Sequence, residues 1–314
     1  MRITTAATLA VLISLGVQAQ AETMKLAVGQ RGTWDTSVAE IGVRGGIFQK
    51  HGLELEILYT QGGGETQQAV ISGSVDVGVA AGMMGVLAAF AKGAPVRIIG
   101  SEMTGATEMF FYVPAKSKIQ SLKDIGTGTI GYSTNGSSTH GVVTALVKQY
   151  DLKAQPVATG SQSATLTQVL SGQIDVGWSA PPFGLDQLDR GDIRIVASGN
   201  DATVFRGQTV RLLIANVQAL QSRKDTFVRF MRAYRETVDW MYAGDGALKA
   251  YGEFMKMPEA KVASMRDRFF PKSAIDPDKV VGLDVIVQDA VTLKFTPAPL
   301  TQAQLVELIQ IPPR

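Results

Sequence analysis

A cluster of hydroxyl side chains at a predicted helix start is the part of this sequence best suited to bind an anion. The segment 133–140, STNGSSTH, follows an apolar run typical of a strand and begins an amphipathic stretch typical of a helix. Capping a helix requires one hydroxyl, whereas this segment offers several. Hydroxyls and the free amides of a helix N-terminus bind sulfonate, carboxylate or phosphate groups. We therefore expect ligand contacts here, with a redundant capping loop as the alternative, from Ser133, Asn135, Ser137, Ser138, Thr139 and His140.

A glycine-rich loop, QGGGET at 61–66, lies between a predicted strand and a predicted helix. Glycine lets a backbone approach a ligand closely, and the start of the helix presents free amides. The alternative is a tight turn that requires positive φ angles. The sequence predicts ligand contacts in this loop from Gly63, Gly64, Glu65 and Thr66.

The chain contains an internal repeat. Residues 70–81, VISGSVDVGVAA, and residues 169–180, VLSGQIDVGWSA, are identical at seven of twelve positions. The same offset aligns Thr60 with Thr159 and Thr66 with Thr165. This repeat predicts two similarly built lobes with a cleft between them, and clefts bind small molecules.

Small residues follow both copies of the repeat, at the carboxyl ends of predicted strands, where open α/β sheets bind ligands. The alternative at each place is simple loop geometry. The predicted contacts are Ala81, Gly82, Met83, Ser179, Ala180 and Pro181. Asp76 and Asp175 occupy equivalent repeat positions, which favours a shared turn-and-cap role over a catalytic carboxylate pair.

The remaining candidates are aromatic or charged. Trp34 follows the first predicted strand, and its ring could pack either on a ligand's apolar body or against the surface of its own loop. Trp178 lies in a buried strand pattern and is assigned to the core. Arg31 and Arg211 could offer charge to an anion, with solvent exposure or a structural ion pair as the default for each.

These residues are positioned by alternating strands and helices, which predict an α/β fold with mostly parallel sheets. The pattern 24–29, 53–59, 77–82 and 96–101 forms the strands of a first unit, and a second unit starts after 114. A strand at 211–216 is predicted to return to the first unit, and helices follow to the end. The predicted organisation is a signal peptide at 1–21, lobe I at 22–113, lobe II at 114–207, and the second part of lobe I with the C-terminal helices at 208–314. Crossings near 112–116 and 205–210 would form a two-crossing hinge.

Composition limits the function. Residues 1–21 combine Arg2, an apolar core and Ala19-Gln20-Ala21, which is typical of a secretory signal peptide cleaved after Ala21. The chain has no cysteine and two histidines, which excludes thiol catalysis and a His-rich metal centre. The balance of 30 basic and 28 acidic residues offers no basic surface for nucleic acid. We expect no cofactor, no metal and no catalytic residue.

Four segments, in order, resemble the periplasmic solute-binding proteins of ABC importers, in particular the group for aliphatic sulfonates, taurine, nitrate and thiamine-pyrimidine-like solutes. They are GGIFQKHGLELEIL (45–58), QGGGETQQAVISGSVDVGVA (61–80), SLKDIGTGTIGYSTNGSSTH (121–140) and LTQVLSGQIDVGWSAPP (166–182). The resemblance implies a type II periplasmic-binding-protein fold, in which a ligand lies between two α/β lobes. It also implies ligand contacts in the loops after the strands, which are the loops described above.

The sequence therefore predicts a non-enzymatic, monomeric receptor in the periplasm. It would deliver a small, anionic organic solute (sulfonate, carboxylate, nitrate-like or pyrimidine-like) to an ABC transporter permease in the inner membrane, with its ATPase. One alternative is an enzyme of the same fold, of the thiamine-pyrimidine or menaquinone-pathway type. The absence of cysteine and the export signal argue against it. The other alternative is a sensory receptor that presents its closed lobes to a membrane kinase.

Overall fold

The computed structural model describes residues 21–314, so the predicted signal peptide lies almost entirely outside the described residues. Five strands form the sheet of lobe I. In spatial order they are β2 (Leu53–Thr60), β1 (Glu22–Gly29), β3 (Val77–Gly82), β10 (Thr209–Asn216) and β4 (Val96–Thr104). β1 is parallel to β2 and β3, and β10 is antiparallel to β3 and β4. The strand predicted to return to the first unit therefore does so.

Lobe II repeats this arrangement. Its strands are, in spatial order, β7 (Gln155–Ala158), β6 (Thr129–Tyr132), β8 (Gly177–Ser179), β5 (Phe110–Pro114) and β9 (Ile193–Ser198). β6 is parallel to β7 and is joined to the segment before β8 by a parallel bridge between Ile130 and Val176. β5 is antiparallel to β8 and β9. Each sheet thus contains one antiparallel strand at the same place, next to the last strand.

The strand β5 corrects the expected boundary of lobe I. The sequence assigned residues up to 113 to lobe I and the first crossing to 112–116. In the structure Phe111 pairs with both Trp178 and Ala197, so β5 belongs to the sheet of lobe II. The first crossing therefore lies between β4 and β5, before Phe110, and the second lies between β9 and β10.

Helices cover the sheets on both faces and continue beyond β10 to the end of the chain, as the sequence predicts. The helices are α1 (Val38–Arg44), α2 (Ile47–Lys50), α3 (Gly63–Ile71), α4 (Met83–Ala91), α5 (Ser138–Gln149), α6 (Gln162–Leu170), α7 (Leu185–Asp189), α8 (Val217–Ser222), α9 (Lys224–Met241), α10 (Gly246–Met255), α11 (Glu259–Phe269), α12 (Leu283–Thr292) and α13 (Gln302–Leu308). Short 3-10 turns are present at Asp35–Ser37, Leu122–Asp124, Gly199–Asp201, Thr203–Phe205 and Lys272–Ala274. Within residues 21–314, no helix combines the length and apolar character that a bilayer crossing requires.

The sequence repeat corresponds to a repeated hydrogen bond. Thr60 and Thr66 join hydroxyl to hydroxyl at 2.8 Å between the end of β2 and α3. Thr159 and Thr165 do the same at 2.7 Å between the end of β7 and α6. The two lobes therefore use the same contact to fix a helix start against the carboxyl end of a strand, which is the edge where the lobes meet.

Candidate functional site

A buried cavity lies between the two lobes, at the carboxyl ends of their parallel strands. Its volume is about 30 Å³, the space of about one water molecule, so a solute of several heavy atoms requires its walls to move apart. Lobe I and the first crossing contribute Gly29, Gln30, Thr33, Asp35, Thr36, Gly63, Ala80, Glu108, Met109 and Arg211. Lobe II contributes Ser133, Ser137, Ser138, Thr139, Gln162, Trp178 and Ala180.

The lobe II wall is a network of hydroxyls at the N-terminus of α5. Ser137 is the N-cap, and its Oγ accepts from the backbone N–H of His140 at 3.1 Å. Thr139 Oγ1 accepts from the backbone N–H of Ser133 and lies 2.9 Å from the hydroxyls of both Ser133 and Ser137. Ser138 differs, because its hydroxyl bonds to no group within residues 21–314. It is therefore the hydroxyl of this wall that is available to a solute.

The lobe I wall is a charged cluster around Arg211, on β10. Its guanidinium donates from Nη2 to Asp35 at 2.5 Å, from Nη1 to Glu108 at 2.6 Å and from Nε to Glu102 at 2.9 Å. The Arg211 side chain is 8% exposed, that of Asp35 1%, and those of both glutamates 0%. The structural ion pair considered for Arg211 is thus present, with three carboxylates rather than one.

Burial is the main cause of the shifted pKa values of Glu102 and Glu108 in this cluster. It raises the pKa of Glu102 well above its usual range, and the nearby charge of Asp35 raises it further. Burial also raises the pKa of Glu108, although Arg211 works against the shift. One oxygen of each carboxylate has no hydrogen-bond partner within the described chain, namely Asp35 Oδ1, Glu102 Oε1 and Glu108 Oε2.

Gln162 separates this cavity from a larger one that lies between α6 and the end of α10. Gln162 Oε1 accepts from the backbone N–H of Ala180 at 2.6 Å and from the hydroxyl of Ser179 at 2.9 Å. Its Nε2 is buried and has no partner in residues 21–314. The second cavity has a volume of about 490 Å³, and Phe183 and Met255 help to line it. Gln162 therefore lies between the small cavity and the larger one and lines both.

The predicted glycine loop lies in the seam between the lobes. A Cβ atom added at Gly62, Gly64, Gly82 or Gly85 would come within 3.0 Å of the lobe II segment 133–138. In addition, the backbone N–H of Gly64 donates to Thr134 Oγ1 at 3.0 Å across the seam. Glycine is required here because two backbones approach each other, and Gly63 also lines the cavity.

Six of the predicted contact residues line the cavity, and they come from both lobes. They are Gly63, Ser133, Ser137, Ser138, Thr139 and Ala180. Gly64 and Gly82 lie beside it in the seam. Ser179 lies on the wall of the second cavity.

Trp34 and His140 do not line the cavity, for different physical reasons. Trp34 is fully buried, donates from its indole N–H to Tyr242 at 3.1 Å and packs edge-on against Tyr251, so its ring belongs to the core of lobe I. His140 stacks on Tyr132 at 4.4 Å and contacts the ring of Phe295. It lines a groove on another side of the seam, and burial lowers its pKa.

Six further predicted residues also lie outside the cavity walls. Glu65 accepts from the backbone N–H of Gln61, and the hydroxyl of Thr66 bonds to Thr60. Asn135 accepts from the hydroxyl of Tyr132 at 2.6 Å. Ala81 and Met83 are buried in the core of lobe I. Pro181 lines neither cavity, although its neighbour Ala180 lines the first and its neighbour Pro182 lines the second.

Sequence reasoning missed most of the lobe I wall. Asp35 and Glu108 lie in connecting segments with no motif around them, and Arg211 was considered only in passing. Trp178 was assigned to the core; it is buried, donates to Thr159 at 3.2 Å and also lines the cavity. The one available signal was position, because Asp35 follows β1 and Trp178 lies in β8, at the strand ends where ligands bind.

Comparison with known proteins identifies relatives of this chain. The model of the family described as NMT1/THI5 like matches residues 41–245. The pyrimidine phosphate synthase of Aspergillus parasiticus (4-amino-5-hydroxymethyl-2-methylpyrimidine phosphate synthase) is 24% identical over 239 residues, which is 73% of this chain and 68% of the relative.

Solved structures show the same fold at lower identity. The alkanesulfonate-binding protein SsuA of Xanthomonas axonopodis pv. citri, bound to MOPS, superposes with a TM-score of 0.74 at 16% identity, covering 92% of this chain and 98% of that one. The periplasmic nitrate-binding protein NrtA of Synechocystis PCC 6803 superposes with a TM-score of 0.69 at 12% identity, covering 92% and 86%. The expected periplasmic-binding-protein fold is confirmed.

Proposed function

We propose that this chain, which belongs to the NMT1/THI5 like family, is a periplasmic receptor that binds a small polar solute between its lobes and delivers it to an ABC permease and its ATPase. The observation that carries the proposal is the buried cavity, because both lobes supply hydrogen-bonding groups to it. A solute held there would bridge the lobes and favour their closed arrangement. A permease can recognise that arrangement, since it differs from the open one over a large surface.

The two crossings between the sheets support opening and closing. Each is a short connection with little sheet pairing, so a few residues can absorb a rotation of one lobe against the other. The cavity is too small in the closed state for most organic solutes, which makes such a rotation necessary for entry. Direct hydrogen bonds across the seam include that from Gly64 to Thr134 Oγ1 at 3.0 Å and that from Ser161 to Gln61 Oε1 at 3.1 Å, and opening of the lobes would exchange them for bonds to water.

The hydroxyl wall supports a solute with a hydrogen-bond-accepting end. Ser138 and the start of α5 can donate to a sulfonate, carboxylate or nitrate-like oxygen, or to a pyrimidine ring nitrogen. The structures with this fold include proteins named for alkanesulfonate and nitrate, and the curated relatives are named for a pyrimidine product. We infer that the acceptor end of the solute lies against Ser138.

The alternative function is the enzymatic one, and the named synthases favour it. Within residues 21–314, however, neither histidine lies on the cavity wall, and no lysine does. The chain also has no cysteine, so nucleophilic and proton-transfer chemistry would rest on hydroxyls and the Arg211 carboxylates alone. The two functions differ in one measurable outcome, because a receptor releases its solute chemically unchanged.

A thermal-shift screen tests the receptor function. Sulfonates, carboxylates, nitrate and pyrimidines are added to the purified protein, and binding to the native state raises its melting temperature. Solution scattering with the best compound is expected to show a smaller radius of gyration than without it. Mass analysis after prolonged incubation should recover that compound unaltered; conversion to a product would favour the enzyme.

A further inference from the structure

The Arg211 cluster carries more negative than positive charge, and this excess faces the cavity. One guanidinium and three carboxylates, from Asp35, Glu102 and Glu108, have a formal net charge of −2. Uncompensated charge is costly in a buried site, so the excess must be balanced by protons or by a positive group. Arg211 does not satisfy every carboxylate oxygen, since one oxygen of each carboxylate has no hydrogen-bond partner within residues 21–314.

The three carboxylates differ in what they face. Asp35 and Glu108 line the cavity, whereas Glu102 does not. Burial, with the nearby charge of Asp35, raises the pKa of Glu102 well above its usual range.

We propose, on the basis of the receptor function, that the solute carries a cationic or N–H-donating nitrogen that binds Asp35 Oδ1 and Glu108 Oε2. These two oxygens are buried, lack partners within the described chain and belong to residues on the cavity wall. A positive charge there reduces the net negative charge of the cluster. Within residues 21–314 no group of three His, Asp or Glu side chains is placed to hold a metal ion.

This proposal narrows the solute to a bipolar class. A simple anion would satisfy Ser138 but would lie beside two buried carboxylates, where repulsion is strong. A zwitterion or an amino-substituted ring satisfies both walls, because its acceptor end meets Ser138 and its nitrogen meets Asp35 and Glu108. The expected solute is therefore an amino sulfonate, amino acid, amino phosphonate or aminopyrimidine.

The first experiment measures binding of matched pairs by calorimetry. The pairs are taurine and isethionate, glycine and glycolate, aminomethylphosphonate and hydroxymethylphosphonate, and 4-aminopyrimidine and 4-methoxypyrimidine. In each pair one nitrogen donor is replaced by oxygen. We expect the amino member of at least one pair to bind ~10-fold or more tightly than its partner, as hydrogen bonds to charged groups require. Equal binding within the pairs, preference for the oxygen member, or binding by none of the compounds would overturn the cationic class. The broader screen would then still judge the receptor function.

The second experiment uses two variants of the same cluster. Glu108→Gln and Glu102→Gln each remove one carboxylate bonded to Arg211, but only Glu108 lines the cavity. For the amino compound, we expect Glu108→Gln to weaken binding by ~10-fold and to abolish the preference over the oxygen compound. Glu102→Gln should retain that preference. Equal effects of the two variants would mean that the carboxylates act only by holding Arg211, and thermal unfolding confirms that both variants are folded.

Discussion

Glu102 and Glu108 bond to the same guanidinium, yet only Glu108 lies on the cavity wall. Glu102 comes from β4, inside the sheet of lobe I, and Glu108 comes from the crossing that leads to lobe II. The crossing therefore brings a charged side chain back to the sheet that it has just left. Arg211 connects the two positions, so a movement at the crossing changes the surroundings of a group inside the cavity.

Replacing Ser138 by alanine is expected to weaken solute binding without loss of stability. The Ser138 hydroxyl has no partner within residues 21–314 and faces the cavity, while Ser137 caps the helix. A hydrogen bond to a charged group contributes about 1.5–3 kcal/mol, which corresponds to a tenfold loss of affinity or more. Calorimetry with the best compound of the screen measures the affinity. Unchanged affinity in the folded variant would show that this segment only begins a helix.

Thr139→Ala is the matched control, because it is expected to lower the stability of the protein. Its hydroxyl holds the backbone N–H of Ser133 and the hydroxyls of Ser133 and Ser137. Removing it leaves a buried donor without a partner, which costs about 1–3 kcal/mol of unfolding free energy. Denaturant unfolding of both variants separates the roles. Ser138→Ala should have the same denaturant midpoint as the wild type, whereas Thr139→Ala should unfold at a lower denaturant concentration.

The sequence repeat predicted a real equivalence between the lobes. Asp76 and Asp175, at matching repeat positions, each accept from the backbone N–H at or near the start of a central strand, Lys25 in β1 and Thr129 in β6. Such contacts are local and depend on two or three residue types, so they leave a trace in the sequence. The hydroxyl segment at 133–140 was visible for the same reason, because helix starts have a recognisable composition.

The charged wall left no such trace. Asp35, Glu108 and Arg211 are far apart in the chain and meet only when the sheet of lobe I and the first crossing assemble. A lone acidic residue in a loop is ordinarily solvated, so nothing local distinguishes these from other loop carboxylates. The sequence also does not reveal that Gly62 and Gly64 lie close to lobe II. Glycine is favoured equally in a tight turn, beside a ligand and where a second backbone approaches, so the residue type alone does not distinguish these roles.

His140 is expected to make folding stability decrease in mild acid. Burial lowers the folded-state pKa of His140 below the ordinary value of about 6.5 for a solvated histidine. The unfolded chain therefore takes up a proton at a higher pH than the folded protein. Stability contributed by neutral His140 is complete above about pH 6.5 and is lost as the pH falls from there toward the folded-state pKa.

Comparison with His140→Gln isolates this effect. Glu102 and Glu108 have raised pKa values, so their contribution has the opposite sign and becomes more favourable as the pH falls. Those groups are present in both proteins and cancel in the difference. The unfolding free energy of the wild type should fall relative to the variant by at most about 1.4 kcal/mol per pH unit below pH 6.5. Parallel curves from pH 5 to 8 would contradict a buried, neutral His140.

Export is expected to leave Glu22 as the first residue. Ala19-Gln20-Ala21 is a small-x-small cleavage site, and β1 begins immediately after it. The Glu22 carboxylate accepts from Arg223 and Arg229, so the new terminus would be fixed to α9 and the segment before it. The intact mass of protein recovered from the periplasm measures the processing. A full-length chain in the cytoplasm would contradict both the cleavage and the proposed location.

Gly85→Ala is expected to weaken binding while leaving the lobes stable. Gly85 lies inside α4, where alanine ordinarily stabilises a helix by about 0.5–1 kcal/mol relative to glycine. Its new Cβ, however, would lie within 3.0 Å of the backbone of Gly136 in lobe II. Because a backbone cannot move aside as a flexible side chain can, the lobes would have to separate. We expect a melting temperature equal to or above that of the wild type, an affinity at least ~10-fold lower because closure is opposed, and a larger radius of gyration in saturating solute. If the affinity and the radius of gyration equalled those of the wild type, the lobes could close around the added methyl group. Close contact between Gly85 and Gly136 would then not be needed for the bound state.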